Sequence, residues 1–459
     1  MLSRRSCLAG LAGLGVLPVS ARAAESKYQG ATVHFLTERN AHQLALADKL
    51  GEIARGWGVN FDTRYITTDE IEKKVVIDYV GGAETWDLVY TGGVQRMAEW
   101  ANGGMAKDIA PLISSVGDKE LLAWDDFTDA ARRAVTDGDK VFGLTVATSE
   151  QALVYRKDLF EHPEEQVAFQ AKYGYALAAP QTYKQALDVA AFFTRKPGQM
   201  LAGRPLTADF YGTILADKRG TFLWHTYEDF VTAFGVDVFD AQTRKAGLDS
   251  PANLAALRTM QAFVPYLPPS HINMGSGEIA NMFAAGQTAF IAEYFDRLLL
   301  NLSGGKAPVT LDMVDFTFLP TAEGNPKGAR HGARSGPPVV AIYGRSRNAE
   351  VAYKLLEAAC APPQQVAMAD KNLAYMPSRV SALRKLAAER PVTGYLLKLS
   401  QSDATLYTDR DILPYPSILK AAEIVDAVTG SWSDIMVGGA IEPKLQEAQA
   451  KVEKILGSA

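Results

Sequence analysis

Residues 138–160 read GDKVFGLTVATSEQALVYRKDLF. Two short apolar runs, 141–146 and 152–155, flank a polar island of Ala147, Thr148, Ser149 and Glu150. Period-two alternation on both sides of a brief polar break predicts a strand, a short crossing and a second strand.

Upstream of this stretch the chain alternates strand and helix signals. Residues 31–37 are apolar and strand-like, and Leu46, Leu50, Ile53 and Trp57 mark one helical face. Val59, Phe61, Thr63 and Tyr65 alternate with Asn60, Asp62 and Arg64, as in a half-buried strand. Thr67 with Glu70 predicts a capping box for a helix ending at Gly81-Gly82, and 86–90 supplies a third strand. A β-α-β-α-β series favours a mainly parallel sheet covered by helices. Ligands of such sheets sit beyond the carboxyl ends of the strands, which places 37–42 and 90–93 at a candidate cleft wall. Glu38, Arg39, His42, Tyr90 and Thr91 are the polar candidates there, with a solvated loop as the other reading of the Glu38–Arg39 pair. Asp87 lies inside a strand and reads as structural.

Downstream, 180–194 and 251–264 carry proline near their starts and apolar residues on a helical period. Residues 279–294, IANMFAAGQTAFIAEY, read as a helix, a turn at Gly286 and a strand. Residues 324–338 are rich in Gly and Pro and read as a loop; 339–344 give a strand, followed by a helix after Arg347-Asn348. Residues 418–456 are mostly helical in pattern.

The crossing phrase at 138–160, the stretch YGTILADKRGTFLWHTYEDFVTAFGVDVFD at 211–240, the segment 279–294, and NLAYMPSR at 372–379 together resemble the bacterial extracellular solute-binding proteins of family 1. These are the maltose-binding-protein-like receptors that feed ABC importers, and the resemblance runs over nearly all of the chain after residue 23. It implies an α/β, two-lobed periplasmic-binding-protein fold with a hinge of two or three crossings and a ligand cleft between the lobes. The first lobe would comprise 27–146 and 336–374, the second 149–319 and 377–459, with 320–335 as a crossing loop. The resemblance also implies a monomer that carries a carbohydrate (a mono- or oligosaccharide or a polyol) to membrane permease subunits, with no cofactor and no covalent step.

Within that frame, Thr148 of the first crossing is a candidate ligand contact. Trp224 is the first candidate for an aromatic platform against a sugar's C–H face and Tyr294 the second, each with core packing as its alternative. Glu293 would accept hydroxyl hydrogens. Arg334 would donate two bonds to a hydroxyl pair or an anionic group, and Tyr375 of the last crossing completes the set. Charged candidates leave a non-sugar solute, such as a glycerol phosphate or a polyamine, as the alternative ligand.

Export is written at the start of the chain. Ser3-Arg4-Arg5, an apolar run from 7 to 19 and Ala21-Arg22-Ala23 form a secretory signal cleaved near Ala23, by the twin-arginine route or by a Sec route that tolerates two arginines. The expected location is the periplasm. That leaves Cys360 as the only cysteine, in an apolar helical run that predicts burial. Three arginines and no acids leave with the signal, so the net charge moves from −5 to −8. No basic stripe invites nucleic acid. No G-x-S-x-G, H-E-x-x-H or phosphate-loop motif occurs, and the six histidines have no metal-ligand spacing. A twin-arginine-exported periplasmic oxidoreductase or glycosidase is the rival reading.

Overall fold

The computed structural model describes residues 27–91, 94–236, 238–240, 245–303, 305, 307–324, 326, 334–390, 393–394, 396–397 and 420–457. The expected export segment, and residues 325 and 327–333 of the expected crossing loop, lie outside these. The alternating run upstream becomes two parallel strands, β1 (Thr32–Thr37) and β2 (Asn60–Tyr65), in register from Thr32 opposite Asn60 to Thr37 opposite Tyr65. Parallel neighbours need a crossover, and α1 (Ala41–Gly56) supplies it. Asn40 caps this helix by accepting from the Gln43 N–H, and Leu46 and Leu50 are wholly buried beneath it. The predicted capping box forms: Glu70 accepts from the Thr67 N–H and opens α2 (Thr68–Val80). It leads into β3 (Leu88–Thr91), parallel to β1. Asp87 is structural as expected, accepting from the His34 N–H and the Ser346 hydroxyl.

The decisive stretch breaks where its polar island stands. β4 (Leu144–Thr145) and β5 (Glu150–Arg156) are separated by four residues yet belong to different sheets. The remaining strands are β6 (Tyr211–Ile214), β7 (Thr288–Tyr294), β8 (Val314–Thr317), β9 (Arg334–Ser335) and β10 (Val339–Ile342). The first sheet runs β2-β1-β3-β10-β4 and the second β6-β7-β5-β8, with β9 also pairing β5. Arg334 and Ser335, expected in a crossing loop, therefore extend the second sheet, and the chain crosses back between Ser335 and Val339. Gly143 is required next to this crossing, because a Cβ there would come within 2.6 Å of the Val340 carbonyl oxygen.

Each sheet has its own core. Phe35, Leu50, Val89, Trp100, Val340 and Leu356 pack together in the first lobe. Phe193, Tyr227, Phe263, Leu267 and Trp432 pack in the second. Helices α3 (Thr221–Ala233), α4 (Ser276–Ala284) and α5 (Phe295–Ser303) flank the second sheet. Residues 376–378, expected as a third crossing, lie against the first crossing without leaving the first lobe: the Thr148 N–H donates to the Met376 carbonyl at 2.8 Å, and Ser378 Oγ to that of Thr145 at 2.8 Å. Beyond them, α6 (Val380–Ala387) stays with the first lobe, where Ser381 bonds Asp126 and the Arg379 guanidinium donates to the Leu122, Ala123 and Cys360 carbonyls. The second lobe takes up the chain with α7 (Ala421–Met436) and α8 (Ile441–Gly457), whose Trp432 and Leu445 enter its core. A smaller apolar cluster, with Ala41, Ala152, Phe295, Met376 and Leu383, bridges the two halves. Cys360 is buried, which pushes its thiol up to about 12. Among the described residues no helix is long and apolar enough to cross a membrane.

Candidate functional site

Residues paired directly across a sheet share a face. At one edge of the second sheet Tyr294 stands opposite Gln151, and Gln151 opposite Arg334. α3 lies behind this row and holds it with acids. Gln151 Nε2 donates to Asp229 Oδ2 at 3.0 Å, Arg334 Nε donates to Gln151 Oε1 at 3.2 Å, and Arg334 Nη1 donates to Glu228 Oε2 at 3.4 Å. The Arg334 guanidinium sits 5.0 Å from the Tyr294 ring centroid. Arg334 is only 1% exposed; its Nε and Nη1 donors serve this network, and it backs the Tyr294 ring.

Trp224 takes the core alternative. Its indole is wholly buried, packs 5.6 Å from the Tyr227 ring and donates to Glu228 Oε1 at 2.6 Å. A burial this complete leaves no aromatic face for a ligand.

Glu293, one residue before Tyr294, projects to the opposite face. There its Oε1 accepts from Ser276 Oγ at 2.5 Å and from the Tyr294 N–H at 2.7 Å. Burial pushes its carboxyl up to about 8, against the pull of Arg297. In the first turn of α5, Asp296 reaches toward the other lobe. Its Oδ1 accepts from Ser149 Oγ at 2.7 Å, and its Oδ2 lies 3.2 Å from Nε2 of His42 on α1. Burial works to raise the Asp296 carboxyl, but His42, Arg297 and Ser149 together leave it lowered. Glu150 accepts from the Thr148 and Ser335 hydroxyls, joining the first two crossings, and burial raises it to about 7.

From the first lobe, Tyr90 and Thr91 end β3 and are buried. Burial and then the Glu38 charge hold the Tyr90 phenol well above its ordinary value, with Arg297 and Asp296 of the second lobe also within electrostatic reach. Glu38 accepts from Thr68 Oγ1 and the Asn40 amide. Arg39 leaves the group: its guanidinium stacks 4.8 Å from the Tyr65 ring on the sheet's edge strand. Tyr375 is wholly buried, donates to the Val146 carbonyl and sets its ring edge-on to His42 at 5.8 Å.

Glu38, His42, Tyr90, Thr91, Thr148, Glu293, Tyr294, Arg334 and Tyr375 thus gather where the sheets' ends and the crossings meet. Ser149, Asp296 and Arg297 join them without having been picked out in the sequence. Arg297 is exposed and lies 5.8 and 6.0 Å from the Tyr294 and Phe222 ring centroids. Its signal was positional: it stands in the first turn of a helix, three residues after a strand-end tyrosine. His225 also approaches Tyr294, at 6.4 Å, and burial with Arg334 depresses its imidazole well below the usual value.

Ser149, Asp296 and His42 have the residue types of a catalytic triad in the wrong order. In a triad the imidazole lies between serine and carboxylate and takes the serine proton. Here the carboxylate is in the middle, so the hydroxyl bonds the acid and the imidazole cannot activate it. What the site offers is a dense set of donors, acceptors and aromatic rings contributed by both lobes.

Comparison with known proteins agrees with this architecture. No curated protein matches the sequence. Among solved structures, an ABC transporter solute-binding protein of Agrobacterium radiobacter K84 in complex with ribitol superposes with a TM-score of 0.74 at 19% identity, covering 93% of this chain and 99% of that one. One from Agrobacterium vitis S4 with bound D-mannitol gives 0.72 at 19% identity over 93% and 99%. Maltose-bound MalE3 of T. maritima gives 0.71 at 18% identity over 93% and 100%. The family model for bacterial extracellular solute-binding proteins matches residues 53–366, more than half of the sequence. The chain belongs to the bacterial extracellular solute-binding proteins.

Proposed function

We propose that this protein captures a carbohydrate (a mono- or oligosaccharide or a polyol) in the cleft between its lobes and delivers it unchanged to the permease of an ABC importer from the periplasm. The observation that carries the reading is the meeting of Asp296, Arg297 and Tyr294 from one lobe with His42, Glu38 and Tyr90 from the other, around Ser149 and Glu150 of the crossing. A hydrated polyhydroxyl solute needs that many partners. A dissociation constant near 1 µM requires about 8 kcal/mol. Each neutral hydrogen bond contributes about 0.5–1.5 kcal/mol net, so one wall alone falls short once association entropy is counted. Two walls that close supply the rest and exclude water. The ribitol, mannitol and maltose held by the structural neighbours are ligands of this chemistry.

The Glu38 and Asp296 charges, joined by Glu150 once its proton has left, favour a linear polyamine as the second reading. A thermal-shift panel of pentitols, hexitols, mono- and oligosaccharides and a polyamine separates the two. A sugar or polyol is expected to raise the melting temperature and to be recovered chemically intact after long incubation. Stabilisation by the polyamine alone, or conversion of the sugar, overturns the proposal.

A further inference from the structure

Buried polar atoms in folded proteins nearly always find a hydrogen-bond partner, so those that do not point to something the fold is built to receive. Among the described residues, His42 Nδ1, Gln43 Nε2, Glu150 Oε2 and Glu293 Oε2 are such atoms, on side chains no more than 6% exposed. Other atoms of this kind are dispersed through the molecule, for example on the core indoles of Trp100 and Trp432. Three of these side chains stand by Asp296: His42 lies 3.2 Å from it, and its charge acts on both Glu150 and Glu293, while Gln43 follows His42 in the first turn of α1.

Each side chain is already fixed by its other end. Gln43 Oε1 accepts from Thr37 Oγ1 at 2.9 Å, which aims its amide nitrogen away from that bond. Glu150 Oε1 is taken by Thr148 and Ser335, and Glu293 Oε1 by Ser276 and the Tyr294 N–H. Besides the His42 ring nitrogen, the free atoms are one amide donor and two carboxyl oxygens, each on a side chain anchored at its other end.

Building on the proposed carbohydrate cleft, we infer that Gln43 and Glu150 are specificity-determining residues, Gln43 donating to a ligand oxygen and Glu150 accepting from a ligand hydroxyl. A solute that satisfies both must present a hydroxyl donor and an oxygen acceptor, as a linear polyol or a single sugar ring does. An anion would meet the Asp296 carboxylate, and Glu150 once its proton has left. A long oligosaccharide would need stacking platforms, yet Trp86, Trp100, Trp224 and Trp432 are buried in the two cores, and Trp57 and Trp124 pack against the first.

Two near-isosteric inversions test this. Gln43→Glu keeps the acceptor for Thr37 and turns the amide donor into an acceptor; Glu150→Gln keeps the acceptor for Thr148 and Ser335 and turns the free oxygen into a donor. Wild type and both variants are titrated calorimetrically with ribitol, mannitol, glucose and maltotriose, with circular dichroism confirming the fold. A purely structural role leaves affinity unmoved by such swaps. The expected result is that wild type binds a polyol or the monosaccharide more tightly than maltotriose, and that each folded variant binds it about 10-fold or more weakly. Wild-type affinity in either folded variant, or preference for maltotriose, overturns this inference and leaves the carbohydrate reading standing. Wild type that binds no carbohydrate at all overturns that reading first.

Discussion

Trp224 and Glu228 show how a residue with a binding-site chemistry can be spent on the scaffold. The indole donates to Glu228, whose second oxygen holds Arg334, and Arg334 in turn backs Tyr294. Trp224→Ala removes one of the largest buried side chains and leaves a buried carboxylate oxygen without its donor. A loss of about 3–5 kcal/mol in denaturant unfolding is expected. Lost ligand affinity with undiminished stability would instead place the ring in the cleft. Glu150 and Glu293 make a second prediction. Their carboxyls are raised to about 7 and about 8 in the fold, so the folded chain holds protons that the unfolded chain has released above about 4.5. Stability from this source is present at acid pH and declines as pH rises from about 5 to 8. Thermal melts of the ligand-free protein across that range should fall, and Glu293→Gln should flatten the upper part of the slope; a rising profile contradicts the assignment. At this scale the sequence made polar residues at strand ends readable, because such positions face a cleft by topology. It could not single out Ser149, Asp296 or Gln43, whose roles exist only once the lobes meet.

Among the elements, the first crossing was the most legible, because two alternating runs of opposite sheet membership leave their polar break in the sequence. The capping box at Thr67 and the turn at Gly286 were legible for the same local reason. The path after the segment expected as a third crossing was not. Helical periodicity says that Val380–Ala387 is a helix but not which lobe it covers, and that choice is made by one buried arginine. Arg379 donates to three main-chain carbonyls and lies 3.3 Å from the Phe127 ring centroid. Charged hydrogen bonds contribute about 1.5–3 kcal/mol each, so Arg379→Ala should cost more than about 3 kcal/mol. Hydrogen exchange should quicken across 376–387 while the second-lobe sheet keeps its protection. Unchanged exchange in that helix would mean that apolar packing alone holds it.

For the molecule as a whole, the two lobes followed from the resemblance carried by scattered phrases, whereas the contents of the cleft followed from two crossings and the 376–378 segment meeting at one point. Asp296 is the residue that spans them, touching the first crossing through Ser149 and the opposite lobe through His42. Asp296→Ala should weaken solute binding while leaving both cores intact, read as lower affinity with an unchanged denaturant slope. The most direct test of the central claim is small-angle X-ray scattering with and without the sugar or polyol that raises the melting temperature. The account predicts a smaller radius of gyration in the bound state as the halves swing together. An identical profile with the solute bound at saturation would contradict it.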